Sequence, residues 1–572
     1  MRLVIAEKPS VALTIAKVIG ANKRNNGYYS GNGFYVSWCV GHLVGLASPD
    51  KYDKKYAKWK IEDLPILPTE YMYEINPRTK KQFNNLKKLM ARSDVTTIVN
   101  ACDAGREGEA IFRYVYDYVK CKKKIERLWI SSMEDQAIRE GFYKLEYGEK
   151  YENLYESAKA RAMADWLVGM NLSRLYSCLY KQNYSVGRVQ TPTLNMIVTR
   201  DQEIEHFKKE KYYTVEIKLK DFSLSTQRID GLEIAKQLRN LIDDQIEIDD
   251  VIIKEKVTKP DKLYDLTTLQ REANKIYGFS AKETLDLAQK LYERKLISYP
   301  RTDSRYLTID MKEKVDKYLF MLKSDLEIDE KNFLSIFDSK KVSDHYAIIP
   351  TEATLDFDFK KLSEDEKKIY RLIEAKLLMS ASKSLVESMT KVIYVYDGME
   401  FTASGKTIIE EGFKQFDLSQ KKNEKNLPVI KKGDIYEVEE RLINEKYTQP
   451  PKAYTEDSLL KAMEIAGNKA LDKEVEVERK GIGTPATRAG IIENLIYKGF
   501  IERDKKNLIS THKGVSLVAI VGEEFKSAET TANWEMKLSD IAKGKLSKEE
   551  FLSEIEGEIK NSINKYKNKI ED

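Results

Sequence analysis

Three short stretches of this chain carry side chains suited to phosphate chemistry. The first joins Glu7, just past the apolar run RLVIA (2–6), to Asp103, just past the β-branched run VTTIVNAC (95–102). In parallel α/β sheets, ligands collect at the carboxyl ends of strands, where the loops diverge. Two acids brought to one sheet edge repel unless a cation lies between them. Mg2+ suits that place, because it takes oxygen from one or two carboxylates and from substrate phosphates. Glu107 and Glu109, in DAGREGE (103–109), are candidates to complete the acidic cluster. The plainer alternative is four surface acids placed by helix N-terminal dipoles.

The second stretch is SYPRTDSRYL (298–307). Pro300 disfavours helical geometry at Tyr299 and predicts an extended, projecting residue. A phenol with a pKa near 10 is a poor nucleophile at neutral pH, but nearby cations favour the phenolate. Arg301 and Arg305 flank Tyr299, with Asp303 between them. Attack by the phenolic oxygen on a DNA phosphodiester leaves a phosphotyrosine bond that stores the energy for resealing. The chain has 34 tyrosines, so only its neighbours single this one out. The third stretch, SDHYAIIPT (343–351), holds His345. Facing the same phosphate, it would bind the phosphodiester or assist proton movement; otherwise it is a satisfied structural histidine.

The elements that must position these residues are legible in outline. A length of 572 residues implies roughly three to five domains. RLVIA reads as a buried strand, and 10–19 as a helix opened by Pro9 and Ser10. The run 95–102 followed by the helix-like AIFRYVYDYV repeats the pattern, which predicts an α/β domain with a mostly parallel sheet. Residues 151–182 read as a basic, aromatic helix ending in SVGRVQTPTL. From 211 the texture alternates, in YYTVEIKLK and later TKVIYVYD, as half-buried antiparallel strands do. Between them lies a helical block, 266–386, in which Ser280 and Glu283 form a capping box. A strand pattern interrupted and then resumed predicts a non-contiguous domain. Residues 419–434 read as a polar linker. A helix at 485–500 followed by GFIERDKKNLISTHKG resembles a winged-helix DNA module.

Composition narrows the class. With 97 basic against 92 acidic side chains, any DNA-binding surface must come from local clustering. Cys39, Cys102, Cys121 and Cys178 form no C-x-x-C pair, and the histidines are His42, His206, His345 and His512 alone, so structural zinc and a disulfide framework are not expected. No run reaches the ~18 apolar residues of a membrane span, and the start shows no leader. A soluble, cytoplasmic protein is expected. GKT at 405–407 lacks the glycine a P-loop needs at position 400, which is Glu400. GIGTPA (481–486) follows the charged KEVEVERK (473–480) where a dinucleotide fingerprint would follow a strand. Neither an ATP nor an NAD site is expected.

Seven motifs in order carry a family resemblance: AEKPS (6–10), DAGREGE, DWLVGMN (165–171), SVGRVQTPTL (185–194), SYPRTDSRYL, SDHYAIIPT and GIGTPATRAGIIENLI (481–496). They resemble bacterial topoisomerase III, within the type IA DNA topoisomerases, over nearly the whole chain. The resemblance implies an N-terminal Toprim α/β domain (1–150) joined to a toroidal core. In that core 151–212 and 440–572 form a helical, winged-helix-like DNA-binding domain. Residues 213–262 and 392–439 form a β-rich hinge, and 263–391 a gate carrying the nucleophile. It further implies that Tyr299 forms a 5′-phosphotyrosine, with Arg301 positioning the phosphate, His345 assisting and Lys8 contacting the scissile phosphate. Glu7, Asp103 and Glu107 would surround Mg2+. Gly187, Arg188, Val189, Gln190, Thr191 and Pro192 would line a single-strand groove, with Arg188 and Gln190 touching backbone. Trp59 and Tyr176 are candidate stacking or backbone contacts. The implied partner is DNA, single-stranded and negatively supercoiled or catenated, served by a monomer that can work beside a helicase. Strand passage without ATP must draw on strain stored in the DNA.

Two departures bear on the chemistry. The usual Toprim triplet is Asp-x-Asp-x-Glu, but its middle position here is Gly105, which favours one Mg2+ on Glu7 and Asp103. The C-terminal cysteine modules of many relatives are absent, so zinc-dependent DNA contacts are not expected. The rival readings are a topoisomerase I-like relaxing enzyme, activity on RNA, and a catalytically silent single-strand-binding scaffold. Intact Glu7, Lys8, Tyr299 and Arg301 argue against the last.

Overall fold

The computed structural model describes residues 1–342, 345–419, 427–466 and 481–571. Ser343 and Asp344 of SDHYAIIPT, the stretch KEVEVERK and residues 420–426 of the 419–434 linker therefore lie outside the described residues.

The chain opens on a seven-stranded sheet. Its parallel centre is Phe34–Trp38, Arg2–Ala6, Thr97–Ala101 and Lys124–Arg127, in that spatial order. Leu3 to Ala6 are all buried, as the strand is covered on both faces. Alternation assigns the faces. Val4, Ala6, Val99 and Ala101 pack with Val11 and Ile15 of the helix Pro9–Val18. Leu3, Ile5 and Ile98 pack with Phe83, Ile111 and Val115 on the other side. The first apolar cluster continues beyond this domain to Ala288, Leu291 and Tyr299.

A 29-residue helix, Glu152–Tyr180, packs against Ala528–Ala542 and Lys548–Glu571 and builds the largest core. Beside it, the hairpin Ile501–Asp504/Asn507–Ser510 follows the helix Pro485–Tyr497. Tyr454–Thr455 adds a third strand that the sequence reading lacked.

The alternating segments form a six-stranded antiparallel sheet: Asp250–Thr258, Leu385–Tyr396, Met399–Glu410, Ser223–Thr226, Lys211–Lys218 and Glu440–Tyr447. It reaches past the expected hinge bounds, taking in 211–212, 385–391 and 440–447. Thr258 pairs directly with Leu385, so 259–384 leaves and re-enters the sheet at one point. This inserted block contains the helices Leu266–Tyr277, Ala281–Glu293 and Glu364–Ala381. The Ser280 hydroxyl accepts from the Glu283 amide at 3.1 Å, and the Glu283 carboxylate accepts from the Ser280 amide at 2.8 Å. Among the described residues no helix is long and apolar enough to cross a membrane.

Candidate active site

Parallel register brings the first two acids together. Ala6 pairs with Ala101, so the chain leaves both strands at the same sheet edge, with Glu7 on one exit and Asp103 close past the other. Lys8 sits at the start of the helix Pro9–Val18. Asp103 leads through Gly105, at φ +139°, into the helix Arg106–Tyr118. A β-carbon on Gly108 would lie 2.0 Å from the Asp103 carbonyl oxygen, so glycine there lets the helix close onto this turn.

Tyr299 arrives from the inserted block. Its amide donates to the Ser131 carbonyl at 3.1 Å, and its hydroxyl donates to Asp103 Oδ2 at 2.8 Å. The ring is buried. Burial first, and then the Asp103 charge, push the phenol well above its ordinary range, while Arg301 pulls it down. Glu7 is also buried, and desolvation followed by repulsion from Asp103 raises its carboxyl to about 8, opposed by Arg301 and Lys8. The Arg301 guanidinium faces Tyr299, Glu7, Asp103 and Glu107. Its Nε has no hydrogen-bond partner among the described residues.

His345 completes the group. Its Nδ1 lies 2.8 Å from Ser131 Oγ and its Nε2 lies 2.8 Å from the Ala104 carbonyl oxygen. The imidazole lies 4.3 Å from the Tyr299 ring and stacks almost parallel to Trp129. Lys8 Nζ lies 3.6 Å from Glu293 Oε1, at the end of the helix Ala281–Glu293. Glu7, Asp103, Glu107, Tyr299, Arg301 and His345 all line one cleft of about 1040 Å³, whose far wall holds Arg161, Arg488, Glu535 and Lys543.

Among the described residues no three His, Cys, Asp or Glu side chains converge to hold a metal. What is present is the buried Glu7 with Asp103 half-buried beside it and Glu107 exposed next to them. Burial, with repulsion from Asp103 added, holds Glu7 near 8, and the donors are all hard oxygen. That set fits a cation that completes its shell from substrate phosphate. Glu109 does not belong to it, contrary to the sequence reading. Two residues on from Glu107, it lies on another face of the helix. There it is buried against Arg113 at 3.1 Å, Arg127 at 3.2 Å and the Asn100 amide at 2.9 Å. Arg305 is likewise spent on structure, donating to the carbonyls of Leu263 and Lys262.

Comparison with known proteins gives this arrangement its context. A family model described as DNA topoisomerase matches residues 149–553, and one for the Toprim domain matches 2–133. The DNA topoisomerase 3 of Bacillus cereus is 41% identical over 609 aligned residues, spanning 99% of this chain and 82% of that protein. The chain belongs to the type IA topoisomerase III family. The Bacillus subtilis DNA topoisomerase 3 is 40% identical, again over 99% and 82%. The fold of this topoisomerase matches full-length topoisomerase I from Thermotoga maritima with a TM-score of 0.78, at 24% identity, over 98% of this chain and 90% of that one. The Toprim domain places the topoisomerase in a metal-binding domain class.

The expected groove residues of the topoisomerase divide sharply. Arg188 is buried, with Nε 2.8 Å from Asp165 and Nη1 2.7 Å from Glu535, so its charge is met inside the protein. Glu535 in turn accepts from Arg161 at 2.8 and 3.0 Å. Gln190 is also committed, accepting from Asn494 at 2.9 Å and donating to the Ser185 carbonyl. Thr191 and Pro192 are buried, which leaves Gly187 and Val189 half-buried as the accessible part of the run. Tyr176 must be withdrawn as a contact. It is fully buried, packs edge-on against Tyr566, and its hydroxyl accepts from the Gly522 amide. Trp59 is 45% exposed, with the Arg174 guanidinium 5.3 Å from its ring. Ser131, Trp129, Arg161 and Glu535 were missed. Contacts across more than 160 residues bring them to this group, and sequence spacing carries no trace of that.

Proposed function

We propose that Tyr299 cuts one DNA strand. Its oxygen bonds to a backbone phosphorus, the 3′ oxygen of the preceding nucleotide leaves with the electron pair, and a 5′-phosphotyrosine remains. One phosphoester replaces another, so resealing runs the same exchange backwards without ATP. The observation that carries this is the Tyr299 hydroxyl, 2.8 Å from Asp103, in a cleft shared with Glu7, Arg301 and His345.

The residues divide the work as follows. Arg301 favours the phenolate and offers its unpartnered Nε to a phosphate oxygen. Asp103 orients the hydroxyl. His345, against the tyrosine ring, assists the phosphodiester, and Lys8 reaches the scissile phosphate from the helix start. Glu7 and Asp103, with Glu107 at the rim, hold one Mg2+. When bound, that cation supplies positive charge to phosphate oxygens. Gly187, Val189 and Trp59 lie on the path of the single strand.

Residues 1–150 form the Toprim body, 151–210 and 448–572 the DNA-binding body, the antiparallel sheet the hinge, and 259–384 the gate. Together they form a torus whose hole admits a second strand when the gate swings away. The substrates are negatively supercoiled DNA and catenanes with single-stranded regions. The enzyme works as a monomer in the cytoplasm, on the nucleoid, and beside a helicase.

Trapping the adduct on a labelled single strand and mapping it by mass spectrometry tests the reading. The nucleotide is expected on Tyr299, and none in Tyr299→Phe; attachment to another side chain overturns it.

A further inference from the structure

The two groups that meet in the closed cleft, Tyr299 and His345, are both held by one residue of the opposite domain. The Ser131 carbonyl receives the Tyr299 amide, and the Ser131 hydroxyl meets His345 Nδ1. The tautomer follows from the other nitrogen. Nε2 faces the Ala104 carbonyl, which can only accept, so Nε2 carries the hydrogen. In a neutral imidazole Nδ1 is then a bare acceptor, and the Ser131 hydroxyl donates to it. The ring is also confined between Trp129, 6.4 Å away and 13° from parallel, and Tyr299.

We propose that Ser131 is a positioning residue for strand cleavage, holding the tilt of His345 against Tyr299 when the gate closes. The inference rests on the proposed roles of Tyr299 and His345 and adds the residue that aligns them. Both contacts run from the Toprim body to the gate, 168 and 214 positions apart in sequence, so they exist only while the gate is shut. Ser131 thereby ties the nucleophile's surroundings to gate position. A hydroxyl is required because the site must donate to a nitrogen and offer a carbonyl from the same residue; an alanine keeps the carbonyl and loses the donor.

The test is a double-mutant cycle on the full-length protein, reading single-turnover cleavage of a single-stranded oligonucleotide, its dissociation constant and the melting temperature. Ser131→Ala is expected to slow cleavage on the order of tenfold, with binding and melting unchanged, as loss of one orienting hydrogen bond on an acid–base group implies. Ser131→Thr, which keeps the hydroxyl, is expected to restore the rate to within about threefold of wild type. In a His345→Ala background Ser131→Ala should cost nothing further, because its partner is gone. A wild-type cleavage rate in Ser131→Ala, no rescue by threonine, or an undiminished loss in the His345→Ala background each overturns the proposal. With the wild-type adduct still mapping to Tyr299, such a result sinks the Ser131 role alone; an adduct elsewhere sinks the underlying assignment.

Discussion

Asp103 Oδ2 accepts the Tyr299 hydroxyl across 2.8 Å, joining a group on the first sheet to one 196 residues further along. Burial and the neighbouring Asp103 charge hold the Glu7 carboxyl near 8, so a cation arriving at this edge is what would favour its ionised form. Glu7→Gln keeps the shape and removes the carboxyl that a bound cation would ionise. The Mg2+ midpoint for resealing should rise about tenfold or more, while single-strand affinity stays within about twofold. An unchanged midpoint in a Mg2+ titration removes Glu7 from the metal site.

Arg188 should act on stability before it acts on DNA. Arg188→Met leaves Glu535 with one fewer cation in a buried place and frees Asp165. Breaking a buried pair this way costs about 3–5 kcal/mol. Thermal unfolding should show a fall of several degrees, with the salt dependence of single-strand binding unaltered. A normal melting temperature with a salt slope reduced by about one would restore Arg188 as a phosphate contact.

The two aromatic candidates make opposite forecasts. Trp59→Ala should weaken single-strand binding by about 1–3 kcal/mol without loss of stability, since the ring is half in solvent. Tyr176→Phe should leave binding untouched and cost about 1 kcal/mol, the hydroxyl's acceptance of the Gly522 amide. Fluorescence titration and a melting curve on each variant separate the outcomes.

Asp265 gives a pH signature. Burial, opposed by its bonds from Thr268, raises this carboxyl to about 6 from an ordinary 3.8. The folded state therefore holds the proton more tightly than the unfolded one. Its contribution is fully present below about 4 and is lost as pH rises to about 6, after which it is flat; the span is worth about 3 kcal/mol. Asp265→Asn keeps the cap acceptor for the Thr268 amide at 2.7 Å. The melting temperature of the variant minus that of wild type should climb between pH 4 and 6.5, and a constant difference refutes the shift.

What could be read ahead of the fold was whatever local chemistry fixes. The strands ending at Ala6 and Ala101 followed from apolar runs, and parallel register then placed Glu7 and Asp103 at one edge. The capping box at Ser280 needs only four residues. Glu109 could have been excluded from the sequence, since two residues along a helix cannot share a face with Glu107. Arg188 could not have been foreseen. Its partner Glu535 lies 347 positions away, and a guanidinium reads the same whether it meets a phosphate or a buried carboxylate. Tyr176 misled for a similar reason: the helix Glu152–Tyr180 is buried on several sides by helices from the far end of the chain.

The pairing of Thr258 with Leu385 gives the tyrosine-bearing block a single root. All of 259–384 hangs from two adjacent strand ends, like a pendant on one clasp. Displacing it costs contacts with the neighbouring bodies, the Tyr299 amide to Ser131 carbonyl bond among them, but breaks no rung of the six-stranded ladder, so the frame that must bring the nucleophile home stays whole throughout the excursion.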